Sequence, residues 1–274
     1  MSEFSGHLHL RGAVRESGRT VLSEQSFRAP FHLSKPYWDA DAQTLLVQVV
    51  NPTAGILSGD RLESRIVVDP GASLLVTTPS ASRVFQMKDG DAECLQHFKV
   101  ANGGWLELMP EPLVLHRGSR YRQFTSVDIA GGGTLFYVDQ LMPGRVAHGE
   151  TWSWDALCLV LEVKLDGGLI LRERLEQSGS DLRGLAELAG SGAAACFANA
   201  ILISDNTPAD SPWRSDIAAL HGAGLWVGVS ALVRGGWSIK LIATDNVRLR
   251  AALRAIRKIL ARSFPRLSCD PRKL

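Results

Sequence analysis

The chain has 274 residues, 45% of them apolar and 21% charged, with a formal net charge of +2. That composition supplies a sizeable core and excludes both a disordered chain and an overall polyelectrolyte. The charge is unevenly placed: residues 244–274 hold nine bases and two acids, a net of +7, while the other 243 residues hold 21 bases and 26 acids, a net of −5. A mildly acidic body with a basic end points to an oriented contact.

Most of the chain reads as strands. Residues 8–14 and 20–28 flank the turn signal Glu16-Ser17-Gly18-Arg19 and predict a hairpin. Leu45 to Val50 is a short branched run ending at Asn51-Pro52, and similar runs follow at 66–68, 74–78, 95–100, 105–108, 113–115, 124–129, 135–138, 157–163 and 169–172. Beneath them lies a loose repeat. Asp69-Pro70-Gly71, Asn102-Gly103-Gly104, Gly131-Gly132-Gly133 and Asp166-Gly167-Gly168 each launch an apolar strand at quasi-regular spacing. Such spacing fits stacked or coiled β units, and it also fits the hairpins of a plain β-sandwich.

Helix is expected only in the last third, at 181–189, at 215–221 and over 246–263. In the last of these Leu249, Leu253, Ile256 and Leu260 form one apolar stripe, Asp245 or Asn246 can cap the start, and Pro265 stops it. The bases Arg248, Arg250, Arg254, Arg257, Lys258 and Arg262 take the remaining faces, read as solvated or protein-contacting. Residues 226–232 and 237–243 predict a strand pair before that helix. The expectation is therefore a mainly β chain, helically wound or stacked, organised as a single domain over 1–274 with a few short helices and a C-terminal amphipathic helix.

Common chemical signatures are missing. The sequence has no Walker A loop, GxSxG elbow, HExxH or CxxC. Gly190 to Ala195 fits a loose GxGxxA but follows a helical pattern rather than a strand, which argues against a dinucleotide site. The sparse cysteines, Cys94, Cys158, Cys196 and Cys269, suit a reducing, cytoplasmic setting, and the first residues do not read as a signal peptide. His7 and His9 would share one strand face, as surface histidines or as a pair for a divalent metal.

Four acids stand in apolar contexts: Asp60 after a glycine-rich loop, Asp139 and Glu173 at the ends of apolar strands, and Glu150 after a turn. A charged carboxylate buried there costs several kcal/mol unless paired, so about that much must be recovered from an arginine, water or a cation. Pairing of Asp60 with Arg61 or Arg83, of Asp139 with Arg145, and of Glu173 with Arg172 or Arg174 is one solution. The other is a hydrated acidic path for a loosely held divalent ion, to which Ser82 could add a hydroxyl.

Several segments carry a resemblance. Asn51 to Leu62 (NPTAGILSGDRL) resembles the glycine-rich GGxxGGD signature of the urease accessory protein D family, and Thr78 to Phe85 (TPSASRVF) resembles its TPGA(S/T)K(F/V)Y segment. Leu106 to Glu111 is similar to its LEWLPQ stretch, Gly144 to Glu150 to its GRxxxGE, and Leu171 to Leu175 to its VERL strand. Ala54, Ser58 and Ser80 replace glycines of these motifs. The resemblance implies a helically wound β fold and a non-catalytic chaperone of nickel insertion. Its partners would be an accessory scaffold (F), a GTPase (G) and the urease apoprotein, with no nucleic acid or membrane. It also implies an internal path for Ni2+ in transit, with no cofactor permanently bound, whose residues would be Asp60, Ser82, Asp139, Glu150 and Glu173. The alternatives are a structural adaptor without an ion path, a diverged paralogue serving another nickel client, and a metal-assisted hydrolase built on His148, Glu150 and Asp139.

Overall fold

The computed structural model describes residues 5–188, 190, 192, 194–205 and 211–272. The chain enters through the hairpin β1 (Gly6–Val14) and β2 (Thr20–Arg28), then passes β3 (His32–Leu33) and β4 (Tyr37–Asp39) into β5 (Thr44–Val50). Successive windings follow. They are β6 (Arg61–Val68), β7 (Ser73–Thr77) and β8 (Ser82–Val84), then β9 (Ala92–Val100), β10 (Trp105–Met109) and β11 (Leu113–Leu115), then β12 (Arg120–Ile129) and β13 (Thr134–Met142). A small pair, β14 (Gly144–Arg145) and β15 (Glu150–Thr151), leads to β16 (Ala156–Leu165) and β17 (Gly168–Gln177). The end of the chain is α1 (Gly179–Leu188), β18 (Cys196–Ile203), α2 (Trp213–Ala218), β19 (Leu225–Ala231), β20 (Gly236–Ala243) and α3 (Asn246–Leu260).

Two stacked sheets result, in the orders β17-β16-β12-β9-β6-β1-β2 and β19-β20-β18-β13-β10-β7-β5-β3. Within the windings β6, β9, β12 and β16 are parallel neighbours, and so are β5, β7, β10 and β13. The chain is thus coiled through its middle and hairpin-built at both ends, which decides between the two readings of the glycine repeat.

The repeat marks the corners, and their local chemistry says why. At 69–72, 101–104 and 130–133 the fourth residue's amide donates to the first residue's carbonyl. Only the third residue, Gly71, Gly103 or Gly132, has a positive φ. Such a turn carries the chain from one sheet to the other. The corners stack: Gly103 N donates to Gly132 O at 3.1 Å, and Asn102 Nδ2 to Gly131 O at 2.5 Å. Gly132 has φ +78°, which favours glycine, and a Cβ there would lie 2.6 Å from that Asn102 nitrogen and push it off its bond. The fourth member differs. Asp166 and Gly167 both take positive φ, the pattern of a type I′ hairpin turn, and the chain reverses so that β17 runs antiparallel to β16. Asp166 still joins the stack, accepting from Gly131 N at 2.6 Å.

Period-2 alternation directs the side chains. From β13, Leu135 and Tyr137 enter the core between the sheets, while Phe136 and Val138 face outward under the helices. Helix α3 covers that outer face with Leu249, Leu253, Ile256 and Leu260, the stripe expected from the sequence. Asp245 caps it, its Oδ1 accepting from Arg248 N at 2.8 Å. Asp245→Ala should cost about 1 kcal/mol, read as a lower chemical denaturation midpoint. Pro212-Trp213-Arg214, to which the sequence assigns no role, joins this layer: Trp213 stacks edge-on against Trp237 at 5.2 Å, with Arg214 over the same ring. The expected helix at 181–189 is α1, and Ala189 lies outside the described residues, as do Ser191 and Ala193 of the GxGxxA stretch.

The bases of α3 do not all face solvent as expected. Arg257 is buried and bonds Glu107 at 2.8 Å, and Arg250 pairs with Glu111. Beyond the helix, Arg262 pairs with Asp216 and Arg272 with Glu111. Much of the basic end is therefore answered by acids of the body, so the contact suggested by the uneven charge is at least partly within the chain. No helix among the described residues is long and apolar enough to cross a membrane.

Candidate functional site: an acidic cavity between the sheets

A cavity of about 880 Å3 lies between the two sheets. At one end it is lined by the loop 51–56 and by residues 76–83. These two glycine- and serine-rich segments are clipped together, Ile56 N donating to Arg83 O at 2.8 Å and Phe85 N to Ile56 O at 3.0 Å. Its lining also includes Leu185 of α1, Arg174 of β17 and Lys240 of β20.

The polar part of the lining follows from alternation and register. In one sheet Asp139, Asn199 and Lys240 are register partners across β13, β18 and β20. The residues flanking each of them, such as Val138, Ala200 and Ile239, belong to the outer core under the helices, so these three turn inward. In the other sheet Glu173, Leu161, Thr125, Gln96 and Ser64 form the corresponding row. Gln123 and Tyr121 continue the polar lining along β12, with Tyr121 Oη 3.1 Å from Gln123 Oε1.

Asp139 Oδ2 accepts from the Tyr137 hydroxyl at 2.5 Å. Burial pushes the Asp139 carboxyl up to about 6; the Tyr137 hydrogen bond opposes that rise, the charge of Glu173 adds to it, and Lys240 opposes it. Burial, with Asp139 beside it, likewise pushes the Tyr137 hydroxyl well up, so Tyr137 stays a donor. Glu173 reaches across from the facing sheet. Its Oε2 accepts from Asn199 Nδ2 at 2.6 Å and its Oε1 from Lys240 Nζ at 2.5 Å.

Of the five residues singled out in the sequence, Ser82, Asp139 and Glu173 line this cavity; Asp60 and Glu150 are not among its lining residues. Asp60 closes its own loop, Oδ2 accepting from Leu57 N at 2.8 Å. Glu150 takes a two-point contact from Arg145, at 2.9 and 2.6 Å, which holds its carboxyl below the usual range. The hairpin carrying that pair needs Gly144: its φ is +116°, and a Cβ there would fall 2.2 Å from Glu150 O.

Among the described residues, arginines expected to answer these acids form other ion pairs. Arg145 goes to Glu150, Arg172 to Glu162, Arg174 to Glu176 and Arg61 to Glu93. Asp139 faces the cavity while Glu150 is held by Arg145, so the triad imagined for a hydrolase is not assembled. His9 bonds Glu63 at 2.9 Å and His7 bonds Ser26 at 2.9 Å. Among the described residues no three or more His, Cys, Asp or Glu side chains are grouped to hold a metal ion.

Sequence reasoning passed over Lys240, Asn199, Gln123, Thr125 and Gln96. A signal was there for two of them: Asn199 and Lys240 are polar residues at inward positions of mostly apolar strands, as in Ala198-Asn199-Ala200 and Ile239-Lys240-Leu241, whereas β9 and β12 carry polar residues on both faces and hide the other three.

Comparison with known proteins places this arrangement. The profile of the UreD urease accessory protein family matches residues 5–273. The chain belongs to the UreD family. It is 66% identical to the urease accessory protein UreD of Opitutus terrae over 272 residues, 99% of this chain and 100% of that one. It is 30% identical to urease accessory protein UreD 2 of Streptomyces griseus over 94% of this chain and 89% of that one. Against UreD of Yersinia enterocolitica the identity is 41% over 146 residues, 53% of this chain and 45% of that one. Family membership supports a role in urease maturation, and it attaches the mainly β, coiled architecture to that role.

Proposed function

We propose that this UreD-family chain is a non-catalytic delivery scaffold that gives Ni2+ a protected route to the urease apoprotein. It works with the accessory scaffold F and the GTPase G, and the GTPase gates release. The observation that carries the reading is the meeting of Asp139 and Glu173 from opposite sheets at one cavity, neither paired with an arginine among the described residues. Carboxylate and hydroxyl oxygens suit a divalent ion, and two carboxylates without a closed ligand set hold it weakly enough to let it leave. Asp139, Glu173 and Ser82 are the path residues this supports best; Asp60 and Glu150 stand outside the cavity lining.

The proposed setting is the cytoplasm, which suits four cysteines that are free and buried. On α1, Leu185 lines the cavity and stands half-exposed, and Leu188 is 88% exposed, which suits a surface that a protein partner covers.

The test is the nickel content of urease purified from cells carrying Glu173→Ala or Asp139→Ala. Each variant should fold and still co-purify with the urease subunits, while nickel per active site falls several-fold. Full loading in both variants removes the path. It leaves a structural adaptor, the second reading, which is favoured by the local pairing of Glu150 with Arg145 away from the cavity.

A further inference from the structure

We propose that Lys240 is a tethered counter-cation of the cavity: its ammonium occupies the Glu173 carboxylate until a divalent ion displaces it, and its return drives the ion onward. The inference rests on the path reading and adds a residue to it.

Both oxygens of Glu173 already hold a donor: Oε1 takes the Lys240 ammonium at 2.5 Å and Oε2 takes the Asn199 amide at 2.6 Å. A divalent ion that takes the carboxylate with both oxygens competes with these two donors for its lone pairs. Asn199 lies between Asp139 and Lys240 in register, held by strands on both sides, and its side chain is short. Lys240 is the movable one. Its side chain is 53% exposed, against 24% for Glu173, so its long stem can carry the charge into water. Its neighbour in β19 is Gly228, where a Cβ would meet no atom within 4 Å, so the adjoining strand puts no side chain in the way.

Electrostatics set the sense of the exchange. The groups facing this point are Asp139 and Tyr137 from β13, Asn199 from β18 and Glu173 from β17; the other nearby charge on β17, Arg174, is paired with Glu176. With Lys240 docked, one ammonium answers two carboxylates. A divalent ion at Glu173 outcompetes a half-exposed ammonium, whose ion pair is weak in contact with water, and then repels it. Once the ion moves on, the lysine closes the carboxylate again. A divalent ion therefore cannot settle there, which is what passage requires. A purely structural lysine would also repel a divalent ion, but it would stay on Glu173 when the ion binds, so its own reactivity would not change with nickel.

The experiment is calorimetric titration of NiCl2 into the purified full-length chain at pH 7.5. Lys240→Met should tighten Ni2+ binding by about tenfold, Lys240→Arg should stay near the parent, and Glu173→Gln and Asp139→Asn should weaken it. As a second measurement on the unaltered chain, the rate of acetylation of Lys240 by acetic anhydride is followed by peptide mass spectrometry. Ni2+ should raise that rate several-fold, and Glu173→Gln should raise it without nickel. If Lys240→Met binds no tighter while Glu173→Gln binds more weakly, the counter-cation is overturned and the path stands. If neither Glu173→Gln nor Asp139→Asn alters nickel affinity, the path falls and the counter-cation with it. An acetylation rate indifferent to nickel overturns the proposal even where Lys240→Met does not fold.

Discussion

Arg257→Ala should lower the stability of the chain by about 3–5 kcal/mol, because it strands a carboxylate in the dry layer beneath α3. Glu107 is fully buried, and burial raises its carboxyl above the usual range against the pull of Arg257. Arg257 supplies Nε to Glu107 Oε1 at 2.8 Å and also donates Nη2 to Cys269 O at 2.7 Å, so one side chain ties β10, α3 and the C-terminal turn together. Glu107 Oε2 has no further hydrogen bond among the described residues, so nothing is in place to take over when the guanidinium goes. Urea denaturation reads the loss. The double variant Glu107→Met/Arg257→Met should recover most of it, since removing both charges together also removes the desolvation cost. A single variant within about 1 kcal/mol of the parent would show the pair to be worth little more than a surface bridge.

Asp139→Asn should stabilise the chain at neutral pH, by about 2 kcal/mol, and should weaken the Ni2+ binding proposed for the cavity. The carboxyl is raised to about 6 in the folded chain from 3.8. The folded state therefore binds a proton that the unfolded state releases, and stability falls as pH rises from about 4 to about 6. Above about 6 the whole cost is present, an upper bound of roughly 3 kcal/mol for two pH units. The asparagine keeps an acceptor for Tyr137 and carries no charge. Thermal melts should thus show the variant ahead of the parent at pH 7.5, with the gap closing toward pH 4. A gap that stays constant with pH would mean that Asp139 is not the titrating group. A raised carboxyl facing a cavity makes Asp139 a candidate functional group, in keeping with the proposed path.

Much of this architecture is legible along the chain. The glycine turns mark every corner, the Asp166-Gly167 pair carries the type I′ signal that makes the fourth a hairpin, and the apolar stripe with its Asp245 cap places α3 to within a few residues. Even the direction of Asp139 is local: with Leu135 and Tyr137 four and two positions before it on β13, it must share their face.

What the residues alone determined about this protein is everything set by short periods: strands of period two, a helix of period 3.6, and turns decided by the sign of one φ. The tertiary structure alone decided which inward residue meets which. Glu173 and Lys240 are 67 positions apart, and Glu107 and Arg257 are 150 apart. Glu107 and Arg257 meet because the coils stacked after β10 are followed by closing strands and a helix that fold back over it, and Glu173 and Lys240 because the closing strands join the sheet that faces β17. Periodicity chooses a face but carries no information about the residue opposite, and that is why Asp139, Glu173 and even an inward Lys240 can be picked out along the chain while the meeting of Lys240 with Glu173 cannot.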